Sequence, residues 1–220
     1  MKGKTAVLIG STGLVGSRVL ELLQNDAEFS EIRVLVRKSV NFKHPKVTTA
    51  VVDFSDETSF KSQIGKCDLV FCAVGTTNKK VKGNKAAYRK VDFEIPVNAA
   101  KYALEEDCPQ FVLVSSIGAN SKSSTFYTRL KGETEDRLSE MGIPSLLIFR
   151  PSLLLGKRKE FRFGEFAGKI LMIPLAFLLP EKLKPISAEK LAKAMVAASK
   201  LNPPGKHIYH YSEMKPFFNA

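Results

Sequence analysis

Seven residues near the start, Gly10-Ser11-Thr12-Gly13-Leu14-Val15-Gly16, constrain this chain more than any other stretch. Residues 5–9 before them are an apolar run with β-branched members. After them Leu14, Val15, Val19, Leu20, Leu22 and Leu23 recur at helical spacing. The order predicts a strand, a glycine turn and a helix. Gly10 lets the chain leave the strand through backbone angles that other residues resist. Gly13 removes a Cβ where the backbone must approach a phosphate, and Gly16 lets the helix close on the strand. The N–H groups of the first helical turn carry a partial positive charge, which suits the pyrophosphate of a dinucleotide. Ser11, Thr12, Leu14 and Val15 complete the loop that would touch it. The spacing is G-x-x-G-x-x-G, not G-x-G-x-x-G. An ordinary strand-to-helix turn without a ligand would also explain three glycines, so the later strand ends must decide.

Those strand ends agree with one another. Residues 31–36 read as a second strand that ends in Arg37-Lys38, where an acidic residue would bind the ribose hydroxyl of NAD. A guanidinium there can clamp a 2′-phosphate, so NADP(H) is expected over NAD(H). The bland alternative for Arg37 is a surface cation. Residues 47–52 are a third strand ending at Asp53-Phe54, a carboxylate and a backbone suited to the adenine amino group. Asp56 or Ser55 caps the helix that follows. Residues 67–75 form a fourth strand and a small-residue turn, in which Ala73, Val74, Gly75 and Thr76 leave room for ribose and pyrophosphate. A helical pattern over 86–104 contains Pro96, which predicts a kink or a restart. A fifth strand ends in Ser115-Ser116. A helix over 126–141 is closed by Gly142 and Pro144. A sixth strand over 145–149 leads into Arg150 and Pro151, which are counted with the cofactor contacts. Strands alternating with helices predict an α/β, doubly wound, mostly parallel sheet, with ligands beyond the carboxyl ends at the switch point between strands one and four.

Tyr127 and Lys131 lie four apart on the predicted helix and share a face. A phenol loses its proton near pH ~10, and a neighbouring ammonium favours the phenolate. The pair could pass a proton to or from an alcohol or carbonyl while hydride moves on a nicotinamide. Lys131 could also hold the nicotinamide ribose. Ser116 is the first choice for the hydroxyl that polarises the same oxygen, and Ser115 the runner-up. The alternative is a pair that holds cofactor without turnover.

Gly10 to Gly16, Ser115-Ser116, Tyr127-x-x-x-Lys131 and Phe149-Arg150-Pro151 together resemble the short-chain dehydrogenase/reductase superfamily in its atypical or extended branch. Cys72-Ala73-Val74-Gly75-Thr76-Thr77, Lys131-Gly132-Glu133 and Phe149-Arg150-Pro151-Ser152 look closer still to the NmrA-like group that includes the Tat-interacting tumour-suppressor protein and its bacterial relatives. The likeness covers residues 4–156 well and the remainder weakly. It implies a Rossmann fold, NAD(P)(H), and Ser116, Tyr127 and Lys131 as the catalytic set. Many members place an asparagine before strand five; here Val91-Asp92 places an aspartate. Relatives in this branch include dinucleotide-binding regulators, so a non-catalytic NADP(H)-binding regulatory or scaffolding protein is the rival to an oxidoreductase acting on an apolar carbonyl or alcohol.

At 220 residues the chain is expected to be one domain, with 152–220 contributing a small substrate-side lobe. The net charge of +12 would suit an anionic partner, but the basic residues are scattered and no specific nucleic acid is expected. Cys67, Cys72 and Cys108 lack metal-ligand spacing; free thiols in a reducing compartment, and a cytoplasmic protein, are the expectation. No metal site is expected: His207 and His210 read as members of a last strand over 207–211, facing opposite sides. The glycine-broken start is used up as strand and helix rather than as a secretory signal. The apolar stretch 163–179 reads as a buried pocket wall, with contact to lipid or to a second copy of the chain as the sharper alternatives.

Overall fold

A computed structural model describes residues 3–77, 80–155 and 180–219. The basic loop around Asn78 and Lys79, the basic run 156–163 and the apolar stretch 163–179 therefore lie wholly or partly outside the described residues.

The first half alternates strand and helix as the apolar pattern predicts. In order these are β1 (Lys4–Ile9), α1 (Leu14–Asn25), β2 (Phe29–Val36), β3 (Val47–Val51), α2 (Glu57–Ile64) and β4 (Leu69–Cys72). Then come α3 (Lys85–Arg89), a π-helical segment over Lys90–Glu94, α4 (Ile95–Glu105), β5 (Gln110–Val114), α5 (Phe126–Ser139) and β6 (Ser145–Phe149). The chain closes with β7 (Leu154–Leu155), β8 (Ile186–Ser187), α6 (Ala188–Leu201), β9 (Gly205–Tyr209) and α7 (Tyr211–Met214). Seven strands form one sheet in the order β3-β2-β1-β4-β5-β6-β9, and every pair in it is parallel. The order reverses between β1 and β4, as expected of a doubly wound sheet. β4, β5 and β6 are buried on both faces, which is why they read as unbroken apolar runs.

Alternation along each strand sorts the core into two layers. Ala6, Leu8, Phe71, Val112 and Leu147 face α1 and α6, while Val7, Ile9, Val70, Phe111 and Ile148 face α2 and α4. Of the C-terminal third, β9 extends the main sheet beside β6, α6 packs on the α1 side, and β7 pairs with β8 as a two-residue ribbon. Ser187 caps α6 by accepting from the Lys190 N–H at 3.1 Å. The last strand ends at Tyr209, and His210 stands outside it as the N-cap of α7. The alternation of His207 to Tyr211 overran because a helix takes over after one polar residue. Pro96 sits at the start of α4, directly after the π segment, whose wider turn can absorb the missing N–H. The helical pattern before it restarts through the π segment. No helix among the described residues is long and apolar enough to cross a membrane.

Candidate functional site

The glycine turn sits at the carboxyl end of β1, pressed against the exit of β4. Gly10 adopts a φ of +93°, and a Cβ there would lie 2.6 Å from the Ala73 carbonyl carbon. A Cβ on Gly16 would lie 2.1 Å from the Gly10 carbonyl oxygen, so α1 can start only if both positions lack side chains. Gly13 is the N-cap of α1. No side chain caps that helix, and its first turn holds no acidic residue. The Ser11 hydroxyl is buried and has no hydrogen-bond partner among the described residues. A glycine cradle, uncapped helical N–H groups and an unspent buried hydroxyl fit a pyrophosphate. Thr12, Leu14 and Val15 belong to the same turn and first helical residues.

Beyond the ends of β2 and β3 an open cleft of about 600 Å³ runs to the π segment and α4. Arg37, Asp53 and Phe54 line one side of it, and Lys90, Glu94, Asn98 and Tyr102 the other. Lys38 is exposed and does not line it. The Asp53 carboxylate accepts from the Ser55 hydroxyl at 2.6 Å and from the Ser55 N–H at 2.9 Å. These two bonds hold it below the usual carboxylate range. The helix cap is Asp56, which accepts from Thr58 N and Ser59 N, and Ser55 serves Asp53 instead.

At the other end of the switch point, α5 presents Tyr127, Lys131 and Glu135 four residues apart, along one face. Gly132 makes this possible: a Cβ there would fall 2.1 Å from the Ser121 backbone nitrogen, so α5 lies directly on the 120–121 loop. The Lys131 ammonium is almost fully buried, 3.1 Å from Asp92 Oδ1, and the Asp92 side chain is wholly buried. Asp92 Oδ2 accepts from the Thr76 N–H at 2.7 Å. The Thr134 hydroxyl has two carbonyl acceptors in reach, those of Leu130 at 2.8 Å and Asp92 at 3.1 Å, which share its one proton. The π segment that carries Asp92 thus ties the β4 exit turn to α5, and π bulges of this sort concentrate at functional sites. The Tyr88 hydroxyl donates to the Thr76 carbonyl at 3.1 Å, and the Tyr88 ring meets Tyr127 edge-on at 6.3 Å. Ala73 and Val74 are half-buried under the glycine turn, and Gly75 is exposed beside it.

The two serines after β5 separate. The buried Ser115 hydroxyl donates to Glu135, whose carboxylate also accepts from Arg150 Nε at 3.1 Å. Ser115 and Arg150 are therefore both engaged inside the protein, and Pro151 is buried, its carbonyl accepting from Ile117 N at 2.9 Å. Ser116 is half-buried, and among the described residues its hydroxyl makes only a long bond of 3.3 Å to the carbonyl of its own neighbour, Ile117. Among the two, Ser116 has the hydroxyl to offer. Sequence reading missed Glu135, although its spacing from Lys131 repeats that from Tyr127 to Lys131. It also missed Lys90, Asn98 and Tyr102, which only the fold of the π segment and α4 brings to the cleft.

A doubly wound parallel sheet with a glycine cradle at its switch point and a cleft beyond β2 and β3 defines a dinucleotide-binding Rossmann protein. Residues 10–154 match the family described as NAD(P)H-binding, and the chain belongs to that family. It is similar to Protein FMP52, mitochondrial, of Candida albicans, with 33% identity over 86% of this chain and 85% of that one. It is also similar to Protein HTATIP2 of Rattus norvegicus, with 30% identity over 77% of this chain and 70% of that one. Among solved structures, the Bordetella bronchiseptica enzyme WbmH in complex with NAD+ superposes with a TM-score of 0.73. It is 17% identical and covers 99% of this chain and 80% of that one. The resemblance to the extended short-chain dehydrogenase/reductase branch holds. The expectation of a cytoplasmic protein does not: the Candida albicans relative and further yeast counterparts are named as mitochondrial. Free thiols and the lack of a secretory signal do not separate the cytoplasm from the mitochondrion.

Proposed function

We propose that this protein is a mitochondrial NADP(H)-dependent oxidoreductase acting on a carbonyl or alcohol of apolar character. One observation carries the reading. The buried Lys131–Asp92 pair stands one helical turn from Tyr127, while Glu135 engages Ser115 and the Ser116 hydroxyl has, among the described residues, only its 3.3 Å bond to Ile117. The glycine turn would hold the pyrophosphate, with Ser11 and the first N–H groups of α1 as donors. Arg37 would take the 2′-phosphate, and Asp53 and Phe54 the adenine. Mitochondrial placement rests on the names of the yeast relatives, and the apolar preference on the composition of residues 163–179.

The nicotinamide, when bound, supplies or accepts the hydride. The chain does the rest. Ser116 donates to the substrate oxygen and orients it. The Tyr127 hydroxyl gives its proton to that oxygen on reduction and takes it back on oxidation. Lys131, one turn further along α5, would hold the nicotinamide ribose beside the reacting oxygen. Asp92 holds Lys131 in place and, through Thr76 N, fixes the turn beside the cofactor's ribose.

The test is consumption of NADPH against a panel of apolar aldehydes and ketones, for the wild type and Tyr127→Phe. Loss of the proton donor should cost roughly a hundredfold or more in rate. Equal rates in both proteins would remove Tyr127 from the chemistry. Tight binding of NADPH with no consumption of any substrate would favour the regulatory reading instead.

A further inference from the structure

Two thiols that the dinucleotide site does not use meet at the opposite end of the sheet. Cys67 and Cys108 stand just before β4 and β5, neighbours whose register pairs Leu69 with Gln110. Carried two residues back, that register sets the cysteines opposite each other, and their sulfurs are 3.0 Å apart. A disulfide needs about 2.05 Å, so the sulfurs have only about 1 Å to close. Both backbones are held. Asp68 is tied to Thr5 by N–H bonds in both directions, at 2.7 and 2.9 Å. Asp107 takes a left-handed φ of 56°, and Cys108 N donates to the Ala103 carbonyl at the end of α4 at 2.9 Å. Cys67 is half-buried and gives access from solvent, whereas Cys108 is buried.

We propose that Cys67 and Cys108 form an oxidation site for hydroperoxides, which closes reversibly to an intramolecular disulfide. One thiol of the pair gives up its proton, and the hydrogen bond from the other steadies the thiolate. That thiolate attacks an oxygen of hydrogen peroxide: an S–O bond forms, the O–O bond breaks, and hydroxide leaves and is protonated to water. The second sulfur then attacks the resulting sulfenic sulfur. The S–S bond forms, the S–O bond breaks, and the leaving oxygen takes the second thiol's proton as a second water. Two thiols are oxidised and one peroxide is reduced. The cysteines are 41 residues apart, and the loop they close carries β4, the π segment and α4, one whole wall of the nucleotide cleft. Cys72 is the internal control: it is fully buried on β4, and burial pushes its thiol up to about 12, so it should stay reduced.

The experiment treats the reduced full-length protein with equimolar hydrogen peroxide, then measures intact mass, maps peptides without reduction, and follows thermal unfolding. The expected result is a loss of two hydrogens per chain and a cross-linked peptide joining Cys67 to Cys108. A Tm raised by several degrees and full reversal by dithiothreitol complete it. Cys67→Ser should show neither the mass loss nor the rise in Tm. Thiols that stay titratable, mass gained as oxygen without a cross-link, or a cross-link that joins two chains or involves Cys72 would each overturn the proposal. None of these readouts depends on cofactor binding, so the outcome stands apart from the oxidoreductase reading.

Discussion

Asp92→Ala probes the hinge of the site and gives a magnitude. The substitution strips the carboxylate from a Lys131 ammonium that is almost fully buried, and removes the acceptor of the Thr76 N–H. Breaking a buried pair by deleting one partner costs about 3–5 kcal/mol, because the remaining charge is left in a medium that solvates it poorly. An unsatisfied buried N–H adds roughly 1–3 kcal/mol. The two share one side chain and do not simply add, so a total near 4–6 kcal/mol is the working figure. For a chain of this size each kcal/mol shifts Tm by about 2–4 °C, so a fall of roughly 10–20 °C is expected. Thermal and urea unfolding followed by circular dichroism measure it. Asp92→Asn keeps an acceptor for Thr76 and should lose less. Asp92→Asn combined with Lys131→Met removes both charges and should recover most of the loss, since a neutral pair of similar volume needs no counter-ion. A fall below about 1 kcal/mol in Asp92→Ala, the size of an exposed pair, would refute the reasoning.

The two serines after β5 should behave oppositely. Ser115→Ala breaks the bond to Glu135 and should cost about 1–3 kcal/mol in urea unfolding. Ser116→Ala should leave stability within about 0.5 kcal/mol while lowering NADPH turnover. A partly buried pair far from the site, Lys200 with Asp26, makes a prediction in pH. Burial opposes ionisation of Asp26, but the Lys200 bond and the Glu28 N–H outweigh it and hold the carboxyl below 3.8. Burial likewise opposes the Lys200 charge, and the Asp26 bond outweighs it and raises the ammonium above 10.5. The depressed acid stabilises the fold above its unfolded value and stops doing so as pH falls through the folded one. The raised base stabilises it below its own unfolded value and stops doing so as pH rises through the folded one. Lys200→Met should therefore cost about 1 kcal/mol at neutral pH. The difference from wild type should shrink toward zero in acid, as unfolding curves over a pH series will reveal.

The fold was legible because its signals are local. The apolar runs of β1, β4, β5 and β6 announce strands buried on both faces, and Gly10 to Gly16 announces the first turn. Asp56, one of the two caps the sequence offers, caps α2, and α5 ends at Ser139, two residues short of the expected 141, before Gly142 turns left-handed. Of the candidate residues at strand ends, Arg37 and Asp53 line the cleft beyond β2 and β3, because each strand end carries its own chemistry. Contacts between elements were hidden. Nothing near Ser115 predicts that Glu135, twenty residues on, takes its hydroxyl, and only the packing of α5 on β5 chooses between two adjacent serines. Asp92 stood out as a residue type at an unexpected place, but its role depends on a π segment that turns its carboxylate inward. Cys67 and Cys108 read as unrelated thiols until the β4–β5 register brings them together. Localisation was read from free thiols and the lack of a secretory signal, which do not single out the cytoplasm, and the names of the relatives overturn it.

The account rests on a pyridine dinucleotide seated at the glycine turn with its 2′-phosphate on Arg37. Calorimetric titration of the wild type and Arg37→Ala with NADPH and NADH tests it most directly. One lost charge-assisted clamp is worth about 1.5–3 kcal/mol, so Arg37→Ala should weaken NADPH binding roughly tenfold to a hundredfold. NADH affinity should stay nearly unchanged. Equal losses for both nucleotides would contradict the assignment of Arg37, and no heat from either with the wild type would contradict the account as a whole.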